Sequence, residues 1–392
     1  MYKVLVVGPT AFFSDRGCHI RIYEEVRWLE KLGARVRVLS YYAGEDPAGI
    51  DLVRSGRWVR FKKLEAGPSV KKPLADLSLL SGLISQIKEY RPEILHCHLH
   101  EGAFIGILGA IGASMPVVLD YQGSLSAELS EHNKLFRLFP IKQGMRRIEH
   151  WINSRVSRIL LNSEALKGEL SIKAREKSMV VGDGVDIERF SPRARDSGLR
   201  SRFGLNQGMP VIIYLGLLNQ YQGVDLLLDS FRRLKEKGIK FKALVMGYPL
   251  GDYPMRANQM GLEEVVKFIG RVNYFEAEKW LSLGDIAVAP KVARSESNGK
   301  VLNYLAMGLP MVCFDREVNR ELAGDCAEYV GYVDKDRDGN VERLARGIER
   351  LIEDEKRRRE LSEQGRERAE RYFSWEKVAG RIMNAYQELL GR

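Results

Sequence analysis

Hydrophobic positions along this chain fall into short, nearly unbroken runs separated by longer stretches in which they recur every three or four residues. Lys3–Gly8, Arg35–Ser40, Ile94–His98, Val117–Tyr121, Arg158–Asn162 and Met179–Gly182 are rich in Val, Ile and Leu. Such runs predict strands covered on both faces. Between them, His19–Leu32 and Leu74–Tyr90 carry apolar residues at helical spacing. From Ser191-Pro192 to Gly208 the chain is polar, charged and rich in turn formers, which predicts a linker. The pattern then restarts, with predicted strands at Val211–Gly216, Ala243–Gly247, Val266–Gly270, Asp285–Pro290 and Met311–Asp315. Predicted helices intervene at Val224–Lys237, Phe275–Leu283 and Gly299–Met307.

Two successive strand–helix–strand series predict an α/β chain of two doubly wound, Rossmann-like domains, 1–192 and 193–374. The stretch Glu353–Arg392 reads as helical, with a kink around Phe373-Ser374-Trp375. Its apolar residues Trp375, Val378, Ile382, Tyr386 and Leu389 share one face, so 375–392 is expected to pack on a domain, the first by preference. No short-period repeat is present, which excludes a solenoid.

Composition narrows the partners. The 392 residues are 45% hydrophobic and 29% charged, values of an ordinary globular chain. The net charge of +10 is spread along the sequence without a nucleic-acid-binding module, so no nucleic-acid partner is expected. Cys18, Cys97, Cys313 and Cys326 lack CxxC spacing and read as reduced thiols of a cytoplasmic protein. A strand-like run from Tyr2 carries the expectation of no signal peptide. The longest apolar run, Gly102 to Ala113, is well short of the ~20 residues that span a bilayer. Membrane attachment, if any, is then expected at the inner surface only.

The segment Ser295-Glu296-Ser297-Asn298-Gly299-Lys300-Val301-Leu302-Asn303-Tyr304 follows a predicted strand and opens a helix with cap-forming residues. A helix start at the carboxyl edge of a parallel sheet is where phosphates bind. Gly299 leaves room for a ligand, Lys300 supplies charge, and Asn303 lies about one turn along the same face. Taken alone, the segment fits an ordinary capped helix with a surface lysine better.

The segment resembles the donor-binding helix of the family-four retaining glycosyltransferases, which share the two-domain GT-B fold. Other matches follow in the family's order: Asn162-Ser163-Glu164, Gly184-Val185-Asp186, Phe190-Ser191-Pro192, Tyr214-Leu215-Gly216, Gly223-Val224-Asp225, Phe268-Ile269-Gly270-Arg271-Val272 and Asp285–Pro290. The resemblance implies two domains facing across an active-site cleft. It also implies transfer of a sugar from a nucleoside diphosphate sugar to a sugar or lipid-linked acceptor, with retention and without a metal or other cofactor. Residues matched to donor binding are Gly17, Gly216, Gln222, Arg271, Val272, Gly299, Lys300, Val301 and Asn303; those matched to catalysis are His98, Gln122 and Glu296. Three departures stand out. The family's paired glutamates fall at Ser295 and Asn303, with Glu296 one residue off. Its basic pair falls at Leu217 and Gln222, and Gln122 replaces a common histidine. Lys300 and Arg294 are then expected to meet the diphosphate.

Other features keep two readings. In the first domain Gly8-Pro9-Thr10 ends a strand and Arg16-Gly17 opens a helix, where Arg21 faces either the site or solvent. His96, His98 and His100 share a face only on a strand that persists to His100, and no second ligand cluster is evident, so no metal is expected. His98 reads as a site residue or a buried structural one, sharing its sheet edge with Asp120-Tyr121-Gln122. Lys134 to Arg158 mixes Arg and Lys with Phe136, Phe139 and Trp151, fitting either an anionic membrane surface or a helix packed on the core. A nucleotide-sugar epimerase and a non-catalytic sugar-nucleotide sensor are the alternatives to transfer.

Overall fold

The structure is a computed structural model that describes residues 2–14, 17–56, 72–126, 139–205, 208–293 and 297–392. The chain divides into two compact units. The first comprises 1–183, 295–297 and 375–392, the second 184–294 and 298–374.

The first unit runs β1 (Lys3–Gly8), α1 (Gly17–Lys31), β2 (Arg35–Ser40), β3 (Leu52–Arg54), α2 (Lys72–Tyr90), β4 (Ile94–His98), α3 (Leu99–Gly109), β5 (Val117–Tyr121), α4 (Phe139–Arg155), β6 (Arg158–Leu161), α5 (Ile172–Glu176) and β7 (Ser178–Val180). Its seven strands are all parallel, in the order β3-β2-β1-β4-β5-β6-β7. Every residue of β4 and β5 is buried, as continuous apolar runs require. On one face Leu5, Leu95, Leu119 and Ile159 pack with Leu79, Leu83, Ile105 and Ile152 from the helices. The C-terminal helix, Trp375–Leu390, belongs to this unit and packs against α1. It buries Trp375, Val378, Ile382 and Tyr386, while Leu389 is half-buried.

The second unit runs α6 (Ser197–Arg202), β8 (Val211–Leu215), α7 (Val224–Glu236), β9 (Lys242–Met246), α8 (Tyr253–Gln259), β10 (Val266–Gly270), α9 (Ala277–Leu281), β11 (Ile286–Ala289), α10 (Lys300–Ala306), β12 (Met311–Phe314), α11 (Glu317–Ala323), β13 (Glu328–Val330), α12 (Arg337–Glu353) and α13 (Glu355–Tyr372). Its parallel sheet has the order β10-β9-β8-β11-β12-β13. Phe231, Phe241, Leu344 and Ile348 anchor its core.

Both sheets therefore reverse direction after their third strand, between β4 and β1 and between β11 and β8. The loops that leave those two strands diverge to opposite faces, and the crevice so made at the carboxyl ends is where open α/β sheets bind ligands. The fold class is the one read from the sequence. Two strands escaped that reading, β3 and β13, each of three residues at or near a sheet edge, too short to show a period. The kink expected near Ser374 is a full break: α13 ends at Tyr372, and the Val185 N–H donates to the Phe373 carbonyl at 2.8 Å. Among the described residues no helix is long and apolar enough to cross a membrane.

Candidate functional site

The crevice of the second unit is built on a glycine. Gly216 follows β8 at φ +155°, and a Cβ there would stand 2.8 Å from Lys300 Cε and 3.0 Å from its Nζ. Only glycine lets the Lys300 stem lie across that strand end. Lys300 is the first residue of α10, and its ammonium donates a hydrogen bond to Gln222 Oε1, 5.1 Å from the centre of the Tyr214 ring. Gln222 is buried in a one-turn helix that Asn219 caps by accepting the Gln222 N–H at 3.0 Å.

Two buried tyrosines fix this end of the sheet. The Tyr304 hydroxyl accepts the Leu215 N–H at 2.9 Å, and the Tyr214 hydroxyl donates to the Leu217 carbonyl at 2.7 Å. Burial raises both phenols' pKa, so they remain neutral donors and acceptors. Asn298, fully enclosed, donates to Asn319 Oδ1 at 2.9 Å and holds the entry to α10. The Val301 N–H is already donated to the Asn298 carbonyl at 2.8 Å, and the Val301 side chain is core. Gly216, Gln222, Gly299 and Lys300 thus gather at the β8–β11 crevice, with Asn303 half-buried one turn along α10. Arg271 and Val272 follow β10, two strands away; Arg271 is exposed, 5.9 Å from the Tyr248 ring centre, and Val272 is buried. Glu296, Ser295 and Arg294 lie outside the described residues.

At the β1–β4 crevice of the first unit the chain fills the space with its own charges. Arg21, from α1, donates to Asp120 Oδ1 at 3.0 Å and to Oδ2 at 2.8 Å, and to the Gly182 carbonyl at 2.9 Å. Burial would lower the Arg21 pKa, but Asp120, Glu25 and Asp183 together hold it above its ordinary value. Burial would likewise raise Asp120; the Arg21 guanidinium outweighs that and holds it well below the carboxylate range. Glu25 is raised well above its usual value, by burial first, with Arg21 opposing and Asp120 adding. Arg21 Nη2 lies 2.8 Å from Glu25 Oε1, yet no well-angled hydrogen bond reaches either Glu25 oxygen, because that nitrogen serves Asp120.

His98 ends β4 fully buried, and the Gln122 amide donates to Asp120 Oδ1 at 2.9 Å with His98 Nδ1 3.0 Å away. His96 stacks on His98 with ring centres 4.9 Å apart, and its Nδ1 lies 2.5 Å from the Tyr386 hydroxyl. Burial, then the neighbouring His98, pushes the His96 pKa down to about 3. The strand stops at His98: Leu99 takes φ +62° and α3 begins, so His100 lies apart against Tyr121, ring centres 4.8 Å away. Gly17 opens α1, exposed and with nothing near its Cβ position.

Comparison with known proteins follows this division. Residues 16–195 match the family described as glycosyl transferase 4-like domain, and residues 197–368 match glycosyl transferases group 1. This chain belongs to the group 1 glycosyltransferases of the GT-B fold. Sulfoquinovosyl transferase SQD2 of Arabidopsis thaliana is 24% identical over 393 residues, 97% of this chain and 72% of that one. A phosphatidyl-myo-inositol mannosyltransferase of Mycobacterium leprae is 23% identical over 396 residues, covering 98% of this chain and 96% of its own. Among solved structures, sucrose-phosphate synthase from Thermosynechococcus elongatus superposes with a TM-score of 0.83 at 15% identity, covering all of both chains. Anabaena HepE in complex with UDP and glucose gives 0.78 at 18% identity, covering 99% of this chain and 100% of that chain.

For this glycosyltransferase the sequence reading missed Glu25 and the hydroxyl role of Tyr386. Arg21 and Glu25 stand four apart on a helix, a spacing that reads equally well as a surface pair. Only the buried face of α1 shows otherwise.

Proposed function

We propose that the protein transfers a hexose from a nucleoside diphosphate sugar to an acceptor hydroxyl with retention at the anomeric carbon. The observation that carries this is Lys300 laid over Gly216 at the β8–β11 crevice. Its charge, partnered by the neutral Gln222, suits a diphosphate leaving group that gains charge in the transition state. Gln222 and Asn303 supply neutral hydrogen bonds where the family usually has charged groups, and Arg271 and Val272 extend the donor site. Gly299 leaves room for the phosphates, and the Val301 backbone serves by holding the start of α10. The bond from the anomeric carbon to the diphosphate oxygen breaks as the acceptor oxygen bonds the same face. The departing phosphate oxygen takes the acceptor's proton, so no metal and no dedicated base enter this step.

In the first unit Gln122 contacts the sugar, and His98 and Asp120 behind it are positioning residues. Gly17 lets backbone approach the substrate, and Glu296 is assigned to the donor. Uracil is the favoured donor base because the structurally similar HepE is held with UDP and with UDP-glucose. The exposed face of α4 carries Lys142, Arg146, Arg147 and Arg155 around Ile148 and Trp151, suited to an anionic membrane bearing a lipid-linked acceptor. Residues 127–138, which include Lys134 and Phe136, lie outside the described residues, and so does the side chain of Phe139.

The test is turnover across UDP-, GDP-, ADP- and dTDP-sugars with lipid extracts as acceptors. Nucleoside diphosphate release that needs acceptor and falls about 100-fold or more in Lys300→Ala is the expected result. Donor turnover without acceptor would instead mean an epimerase, and tight binding without turnover a sensor.

A further inference from the structure

Three buried side-chain atoms in the first unit meet without a hydrogen-bond partner. They are Glu25 Oε2 from α1, and His96 Nε2 and His98 Nε2 from β4. His98 Nε2 lies 3.5 Å and His96 Nε2 3.7 Å from Glu25 Oε2, too long for a hydrogen bond. Asp120 Oδ2 is 4.0 Å from His96 Nε2, and one donor atom from each of the four residues lies within 4.8 Å of the others. A zinc-like ion with bonds near 2.0–2.2 Å spaces tetrahedral ligands about 3.4 Å apart. The two Glu25–histidine separations match that spacing to within a few tenths of an ångström, and Asp120 would have to draw in by about half an ångström.

Orphaned polar atoms this deep are costly, and three aimed at one point demand an explanation. Charge points the same way. Asp120 and Glu25, both buried, share the single guanidinium of Arg21, an excess of acid that a cation would offset. The outer contacts also suit ligation. An ion on the two Nε2 atoms puts the ring protons on Nδ1. There the Tyr386 hydroxyl oxygen, 2.5 Å from His96 Nδ1, can accept one. Asp120 Oδ1, 3.6 Å from His98 Nδ1, can accept the other. The Gln122 amide would then give up His98 and keep its bond to Asp120.

We propose that Glu25, His96 and His98, with Asp120 as the fourth ligand, form a buried structural site for a divalent first-row cation of the zinc class. The set of two imidazoles and carboxylates favours such an ion over calcium or magnesium. All four residues belong to the first unit. The site ties α1, β4 and β5 together directly beneath Gln122, and the C-terminal helix reaches it through Tyr386.

Protein purified without a histidine tag, stripped by chelator and then titrated with Zn²⁺ alone tests this. The expected result is one tightly held equivalent per chain and a raised Tm at saturating Zn²⁺. An anomalous-scattering peak should lie between the three named atoms. Glu25→Gln and His96→Gln should each weaken Zn²⁺ binding by 100-fold or more. Absence of retained Zn²⁺, a peak elsewhere, or undiminished binding in Glu25→Gln would overturn the proposal. If Glu25→Gln does not fold, the peak position in the parent protein decides.

Discussion

The two units share one strand order and one crevice position, yet they furnish the crevice in opposite ways. At β1–β4 the chain inserts Arg21, Glu25 and Asp120 of its own, and the guanidinium sits between the two acids inside the fold. At β8–β11 it leaves a glycine, two neutral tyrosines, an amide and the ammonium of Lys300. The first arrangement sets charge against charge between elements; the second sets an ammonium against a neutral amide. One architecture thus supports a structural keystone in one half and the proposed anion site in the other. The topology selects the place, and the side chains select the use.

Removing the keystone should have the largest effect. Arg21→Ala leaves Asp120 fully buried without its counter-charge, and loss of one partner from a buried ion pair costs about 3–5 kcal/mol. Chemical denaturation of the purified variant measures it. Adding Asp120→Asn to that variant should recover part of the loss. If Arg21→Ala cost less than about 1 kcal/mol, the first crevice would not be the structural member of the pair. A sharper contrast comes from matching glycines. Gly216→Ala drives a Cβ into the Lys300 stem, and a displaced charge should lower donor kcat/KM about 10- to 100-fold. Gly8→Ala, at the end of β1, meets only the tip of Ile22 at 3.2 Å and should change kcat/KM by less than about threefold. Equal losses from the two would break the comparison.

How much of this difference the sequence displays depends on the range of the interactions. Lys300 and Gly299 stand at the junction of a strand and a helix, and the local pattern of apolar run, cap and glycine makes such a junction visible. Its crevice partner Gly216 could be matched only through family resemblance, because β8 and α10 are far apart in the chain. The first crevice is legible in pieces only. His96-Cys97-His98 is conspicuous, but nothing local says that the strand ends at His98 and sends His100 elsewhere. Glu25 arrives from a helix whose polar residues look like a solvated face, and its burial follows from the C-terminal helix laid over α1. The short strands β3 and β13 were missed because three residues cannot show a period. The break at Ser374 was read as a kink because helical propensity continues on both sides of it.

A third charged group in the first unit separates locked from tunable electrostatics, and its effect should be the smallest. Asp76, on α2, receives the Tyr41 hydroxyl and shares its surroundings with Glu101 of α3, which Lys72 of α2 pairs at 2.6 Å. Burial first, then Glu101, raises the Asp76 pKa to about 6. Two acids and one base leave an excess of negative charge here, as at Arg21, but Asp76 is partly open to solvent and can take up a proton. A carboxyl whose pKa is higher in the folded state binds its proton more tightly there than in the unfolded chain, near 4. Its contribution to stability is complete below pH 4 and is lost as pH rises through 6. Asp76→Asn keeps an oxygen for the Tyr41 hydroxyl and removes the titration. Denaturation midpoints of the parent relative to this variant should therefore fall between pH 4 and 6, by less than about 1 kcal/mol after solvent screening. A parent that gained stability over that range relative to Asp76→Asn would put Asp76 with the locked charges around Arg21 instead, because a carboxylate held below its ordinary pKa stabilises as pH rises.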